Sequence, residues 1–190
     1  EVVHRYFAAA LGFIAILLVA FAFKYNLPKK IKAITSFLLL FICCQGLFGY
    51  LTVSLKLLPI IVTGHLFGGF ITLSLFFYLF LSTTDGIRNH QIGHLKILGG
   101  IALVALLIQI FLGVWTSTNY ASLACADFPT CQGTYLPDMD FSEGFNLSQE
   151  VGPNYLYGLL DNEARVAIHY SHRVSALVLT LIFMVLITRL

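Results

Sequence analysis

The sequence predicts an all-α polytopic membrane protein, on composition, on five long apolar runs and on the sign of the charges between them. Hydrophobic residues make up 58% of the 190 residues and charged residues only 11%, and mean hydropathy is +0.88. Soluble domains carry roughly 25% charged residues, so this chain lacks the polar surface that would keep it in water. A helix needs about 20 apolar residues to cross the hydrocarbon core. Five stretches qualify: about 2–23, 33–55, 58–82, 95–117 and 166–188. They are apolar on nearly every face, whereas the helices of a soluble bundle show polar stripes.

The first run begins within Glu1-Val2-Val3-His4-Arg5, without a starting Met, and the last ends at Leu190. Both ends fall where a longer chain continues, so the sequence reads as a fragment or a processed product. The loop around 24–32 holds Lys24, Lys29, Lys30 and Lys32 and no acid; residues 119–163 hold Asp127, Asp138, Asp140, Glu143, Glu150, Asp161 and Glu163 and no Lys or Arg. Lys and Arg concentrate on the cytoplasmic side. With the Lys cluster inside, alternation puts the turn at Lys56 outside, Arg88 and Lys96 inside, the long acidic loop outside and Arg189 inside.

Cys125 and Cys131 lie in that acidic loop, on the side where disulfides persist. A metal pair is the alternative, but the spacing is not a usual zinc spacing and no second pair follows; a disulfide is expected. Cys43 and Cys44 lie mid-helix and read as small packing residues. Trp115 and Tyr120 fall where an interfacial aromatic belt is expected.

Two patterns recur. His4-Arg5-Tyr6-Phe7-Ala8 matches His172-Arg173-Val174-Ser175-Ala176 as His-Arg-x-x-Ala, and Gln45, Gly49 and Thr52 match Gln109, Gly113 and Thr116 as Gln-x-x-x-Gly-x-x-Thr. Their corresponding depths and orientations suggest related halves built on duplicated helix pairs, an arrangement transporters also use.

His4, His65 and His172 lie at comparable depth in the outer parts of their helices. Ionisable groups inside a bilayer are costly and face a partner. A hydrogen bond to a neighbouring helix satisfies one; so does ligation of haem iron. Three at one level, two inside a repeated motif, favour ligation. Gly64, Gly68 and Gly69 around His65 leave room for a close helix or for a flat macrocycle. Arg5 and Arg173 directly follow their histidines, where they suit haem propionates or lipid headgroups. Glu1 shares a helix face with His4, as a catalytic or orienting carboxylate or as an interfacial charge. His169 shares a face with His172 and reads as a polar neighbour; His90 and His94 read as solvated.

The loop Leu123-Ala124-Cys125-Ala126-Asp127-Phe128-Pro129-Thr130-Cys131-Gln132-Gly133 resembles the extracytoplasmic loop of the haem A synthase family. So do residues 139–146 and 152–155, the run 160–173 leading into the last helix, and the Glu-x-x-His-Arg opening at Glu1, His4 and Arg5. The resemblance spans essentially the whole chain. It implies eight membrane helices in two pseudo-symmetric four-helix halves, of which this chain holds the second to the sixth. Residues 1–82 are then helices two to four of the first half, 83–94 a cytoplasmic linker, and 95–190 helices five and six of the second half with the long loop 118–164. It further implies that His4 and His65 hold the substrate haem O, that His172 is one ligand of a bound haem b whose other ligand lies on an eighth helix, that Glu1 is catalytic, and that Arg5 and Arg173 belong to the haem sites.

The implied activity is oxidation of a haem O methyl group to a formyl group, giving haem A for terminal oxidases, in a bacterial inner membrane. Implied partners are haem O and haem A, membrane lipid, haem O synthase and cytochrome oxidase assembly proteins, with a homo-oligomer allowed and nucleic acid not expected. A di-haem b-type electron-transfer cytochrome, a duplicated-helix transporter and a non-catalytic assembly factor are the competing readings.

Overall fold

The computed structural model describes residues 2–84, 93–153 and 159–189, with the backbone only of His94. Six α-helices make up its regular structure: α1 (Val2–Lys24), α2 (Lys29–Ser54), α3 (Pro59–Thr83), α4 (Lys96–Thr118), the single turn α5 (Phe141–Gly144) and α6 (Asn162–Arg189). Among the described residues the only β pairing is an isolated bridge between Cys131 and Thr134. Five of the helices are long and apolar enough to span a membrane, so the expected all-α membrane architecture holds. Their outward faces are crowded with large apolar side chains such as Phe13, Leu17, Phe77, Leu103 and Leu181. Such a continuous apolar surface belongs in lipid, not water.

Two helices begin about a turn earlier than the apolar runs suggest. α2 starts at Lys29, where Ile31 and Lys32 donate to the Pro28 carbonyl. α6 starts at Asn162, and Asp161 accepts from Arg165. The extra turns are polar, so hydropathy does not register them, yet the chemistry favours helix. Glu163 in the first turn of α6 suits the positive end of the helix dipole.

The chain divides into two compact units, Glu1–Ser54 with Gly64–Asn89, and Leu55–Thr63 with His90–Leu190. In the first, α1 ends with Asn26 in the left-handed region at φ 48°. Leu27 then donates to Ala22 and Asn26 to Phe23, the paired closure that satisfies the last carbonyls of a helix. The same turn packs Leu27 beside buried Ala22, Ile31 and Leu79, so α1, α2 and α3 share one small core at the lysine end. Buried hydroxyls are returned to their own helices: Thr35 donates to Ile31 at 3.0 Å, Thr63 to Pro59 at 2.7 Å and Thr72 to Gly68 at 2.9 Å. No polar hydrogen is thereby left in an apolar setting.

In the second unit α4 packs along α6, and the acidic loop folds back over their ends. Trp115 organises this end. It is fully buried against Ala121, Leu160, Ala164 and Ile168, and its indole donates to the Gly144 carbonyl at 2.8 Å. It is therefore not a belt residue. Helix-end position alone suggests lipid contact, but the loop covers the ring and supplies the acceptor its N–H requires. Removing some 150–250 Å² of aromatic surface from water contributes about 4–6 kcal/mol as an upper bound, against ~1 kcal/mol for the hydrogen bond. Packing dominates this anchor. Asn119, also fully buried, donates to the Trp115 carbonyl at 3.0 Å and accepts from Gln149 at 2.9 Å.

Gly144 sits where α5 crosses α6. A Cβ there would meet the Ala164 carbonyl oxygen at 2.7 Å, and backbone cannot move aside as a flexible side chain can. Gly144→Ala should destabilise the full-length protein by about 1–3 kcal/mol, read as a lowered thermal midpoint in detergent; an unchanged midpoint would contradict this packing.

Candidate functional site

The sequence picks out Glu1, His4, Arg5, His65, His172, Arg173, Cys125 and Cys131. Glu1 lies outside the described residues, as does His90; the His94 side chain is likewise not described. His4 and Arg5 are exposed on the first turns of α1.

His4 and His65 come together. Their ring centroids lie 6.3 Å apart with planes at 83°, α1 supplying one imidazole and α3 the other. His65 is held against α2: a Cβ on Gly49 would stand 3.3 Å from its Cε1. Its Nδ1 is buried without a hydrogen-bond partner, and so is Oε1 of Gln45. The glycines around His65 serve different purposes. Gly64 faces the Phe48 ring, Gly68 carries the Gln45 amide, and nothing stands within 4 Å of a Cβ on Gly69.

His172 occupies the corresponding place in the second unit. A Cβ on Gly113 would stand 3.3 Å from its Cε1, and the Gln109 side-chain amide lies 3.0 Å from its Nδ1. The repeated Gln-x-x-x-Gly pattern thus has a structural meaning: each glycine is the seat of an imidazole on a neighbouring helix. The repeat was legible in sequence; which histidine each copy serves was not, because that depends on how the helices pack. Gln109 as the direct neighbour of His172 was missed.

The disulfide forms. Cys125 and Cys131 are bonded with Cα atoms 4.6 Å apart, and both are buried beside Val166 of α6. Within the loop, Gln132 and Gly133 have φ of 54° and 78°, while Cys131 and Thr134 exchange backbone hydrogen bonds of 2.8 and 3.2 Å. Positive φ at both central residues is the requirement of a tight two-residue hairpin, and glycine meets it without strain. The Asp127 carboxylate closes the loop by accepting from the Thr130 hydroxyl, from Gln132 N–H at 2.7 Å and from Gly133 N–H at 3.0 Å. Those donors, the Thr130 hydroxyl foremost, hold its pKa down at about 2. Cys43 and Cys44 are free and exposed on α2, so neither packs inward as the sequence suggested.

Arg173 clamps this loop to α6. Its guanidinium donates to the carbonyls of Cys125 at 2.6 Å, Asp127 at 2.7 Å and Thr130 at 3.1 Å, and its Nε–H to His169 Nε2 at 3.2 Å. It also lies 5.8 Å from the centre of the Phe128 ring. The other ring nitrogen of His169, Nδ1, lies 3.3 Å from the Cys125 N–H; a neutral imidazole accepts at one nitrogen only, and either contact makes it a loop anchor. Tyr170 adds a bond to the Tyr135 carbonyl at 2.9 Å.

These donor sets suit haem. His4 and His65, with ring centroids 6.3 Å apart, are a pair of imidazoles of the kind that would hold haem iron. The buried, unpartnered Nδ1 of His65 shows a polar ring not fully satisfied by protein. Among the described residues no group of three His, Cys, Asp or Glu is placed to hold a metal ion; the histidine pair supplies two donors, and a porphyrin brings four of its own.

The family model described as cytochrome oxidase assembly protein matches residues 1–190. The chain belongs to this family. It is 36% identical over 194 aligned residues to the heme A synthase of Shewanella oneidensis, an alignment covering 100% of this chain and 58% of that relative. The chain thus spans somewhat over half the length of the relative it matches. No solved structure matches it.

Two outcomes follow from the loop geometry. Because the folded pKa of Asp127, about 2, lies below its ordinary value of 3.8, its contribution to loop stability is full above about pH 4 and lost as pH falls through about 2. Reduction of the disulfide by a phosphine, taken relative to an unconstrained disulfide at each pH, should be slow and flat from pH 7 to 4 and accelerate towards pH 2, with Asp127→Asn fast throughout. Arg173→Ala removes charge-assisted bonds of about 1.5–3 kcal/mol each and should speed the same reduction at neutral pH by about tenfold or more; a wild-type rate would show that the clamp carries no load.

Proposed function

We propose that the intact protein is a haem A synthase, oxidising a methyl group of haem O through an alcohol to the formyl group of haem A. The facing imidazoles of His4 and His65, 6.3 Å apart, carry this reading, and the 36% identity to a protein named heme A synthase supports its chemical direction.

Haem O is the substrate, entering from the bilayer and bound between His4 and His65. These two rings would hold the haem O iron. Glu1, a turn before His4, holds or moves protons at the reacting edge and is the catalytic residue of this scheme. Arg5, next to His4, would pair with the propionates. In the second unit His172 would hold haem b. When bound there, haem b supplies one-electron transfer. Arg173 acts at that site chiefly through the loop it clamps, since its donors already serve three carbonyls. The disulfide loop is a lid over the outer end of α4 and α6, facing an oxidising compartment.

In the same reading the lysine-rich turn at 24–32 is cytoplasmic and the acidic loop extracytoplasmic, in the inner membrane of a bacterium. Haem O synthase and oxidase assembly proteins are the partners the chemistry calls for, as source of the substrate and receivers of the product. The histidine pattern alone also suits a di-haem b-type electron-transfer cytochrome, and the product distinguishes them.

Haem extracted from the full-length protein, purified after co-expression with a haem O supply, should contain haem A beside haem B. His4→Ala and His65→Ala should each reduce haem A to background while His172-bound haem B persists. Haem B alone in the wild type would leave the cytochrome reading; undiminished haem A in either variant would remove the histidine assignment.

A further inference from the structure

We propose that Gln109 is a positioning residue for His172: its side-chain oxygen accepts the Nδ1–H of the imidazole, which fixes the proton on Nδ1 and leaves Nε2 bare to bind iron. The proposal rests on His172 being a haem ligand.

The Gln109 amide nitrogen lies 3.0 Å from Nδ1 and 3.5 Å from Nε2 of His172, so Nδ1 is the nearer partner, and a half-turn of the amide would put its oxygen there instead. Gln109 and Gly113 are four residues apart on α4 and share a face. One turn supplies the wall, with the Gly113 Cβ position 3.3 Å from Cε1; the turn before supplies the polar contact. Wall and anchor together hold the ring's orientation.

The amide has two faces to offer. With its nitrogen toward His172, it donates to Nδ1, and the ring proton must then sit on Nε2. With its oxygen there, it accepts from Nδ1–H, and Nε2 carries a lone pair. Rotation about the terminal bond exchanges the two. The other amide atom, Oε1, is buried without a partner, so protein contacts give neither orientation a second bond. The protein is therefore nearly indifferent, and the demand for a bare Nε2 selects the oxygen-in orientation. Ligating histidines generally donate their other N–H to an acceptor, which fixes the tautomer and raises ligand basicity.

The first unit repeats the spacing and the glycine wall, without the glutamine–imidazole bond. Gln45 and Gly49 are again four apart, Gly49 again stands 3.3 Å from the Cε1 of a histidine, and the Gln45 amide lies across Gly68, one turn beyond His65. There Gln45 Oε1 and His65 Nδ1 are both buried and both without partners: a spare acceptor and an unsatisfied ring nitrogen on adjacent helices.

The test uses full-length protein carrying haem B, expressed without haem O, with the haem followed by optical redox titration and electron paramagnetic resonance. A more basic imidazole favours ferric iron. Gln109→Leu, similar in volume but without an acceptor, should cut the ferric preference about tenfold, a rise in midpoint potential of ~59 mV. Gln109→Glu, a stronger acceptor, should move the potential the opposite way. Opposite shifts support the proposal. A change below twofold in both, or equal shifts of one sign, would mean the amide only packs, and the proposal falls. If Gln109→Leu fails to retain haem, the sign of the Gln109→Glu shift decides alone. His172→Ala separates the premise: an unchanged haem spectrum in that variant removes the ligand assignment itself, whatever the glutamine variants do.

Discussion

A histidine inside an apolar helix must find its partners within the protein, and much of this structure follows from that requirement. Lipid offers no hydrogen bond, and an unsatisfied polar group there costs several kcal/mol. The chain answers by bringing a neighbouring helix close enough to touch the ring. Glycine eases that approach: a Cβ at Gly49 or Gly113 would stand 3.3 Å from the Cε1 of an imidazole, tight enough that the ring would have to shift. The helices are placed by their histidines as much as by their leucines. Apolar packing in the first unit is thin, one small cluster near the lysine end; its outer part is organised around His4, His65 and the Gln45 amide.

The second unit applies the same logic to backbone carbonyls. A loop of irregular chain cannot lie against membrane helices unless its polar groups are accounted for. Trp115, Asn119, Asp127, Asp140 and Arg173 do this accounting from different directions. Asp140 opens α5 by accepting from Ser142 and Glu143 N–H, Asp127 gathers the hairpin donors, and Arg173 gathers the carbonyls. Acidic composition and a cysteine pair, which in sequence speak for orientation and compartment, are in structure the means by which the loop holds its shape.

Much was legible beforehand, for identifiable reasons. Span number and approximate extent follow from length and hydropathy, which suffice because each helix satisfies its own backbone. The disulfide followed from compartment and spacing. What was not legible depends on pairing between helices. The sequence showed that Gln109 and Gly113 repeat Gln45 and Gly49, but not that each copy faces a histidine on a different helix. Trp115 looked like an interfacial ring because a helix end says nothing of a loop that folds back over it. Arg173 looked available because adjacency to a histidine does not reveal which carbonyls the loop closed by Cys125 and Cys131 presents.

The N-terminal half of α6 carries three neighbouring duties. His169 and Arg173, four apart, grip the cysteine loop, while His172 between them meets α4. A loop exchanged between relatives without these helical turns would arrive without its grip, and turns exchanged without the loop would leave a guanidinium and an imidazole with nothing to hold. For anyone building chimaeras in this family, the unit of transfer is the loop together with residues 169–173, and a junction placed at the visible start of the helix would cut through the middle of a single part.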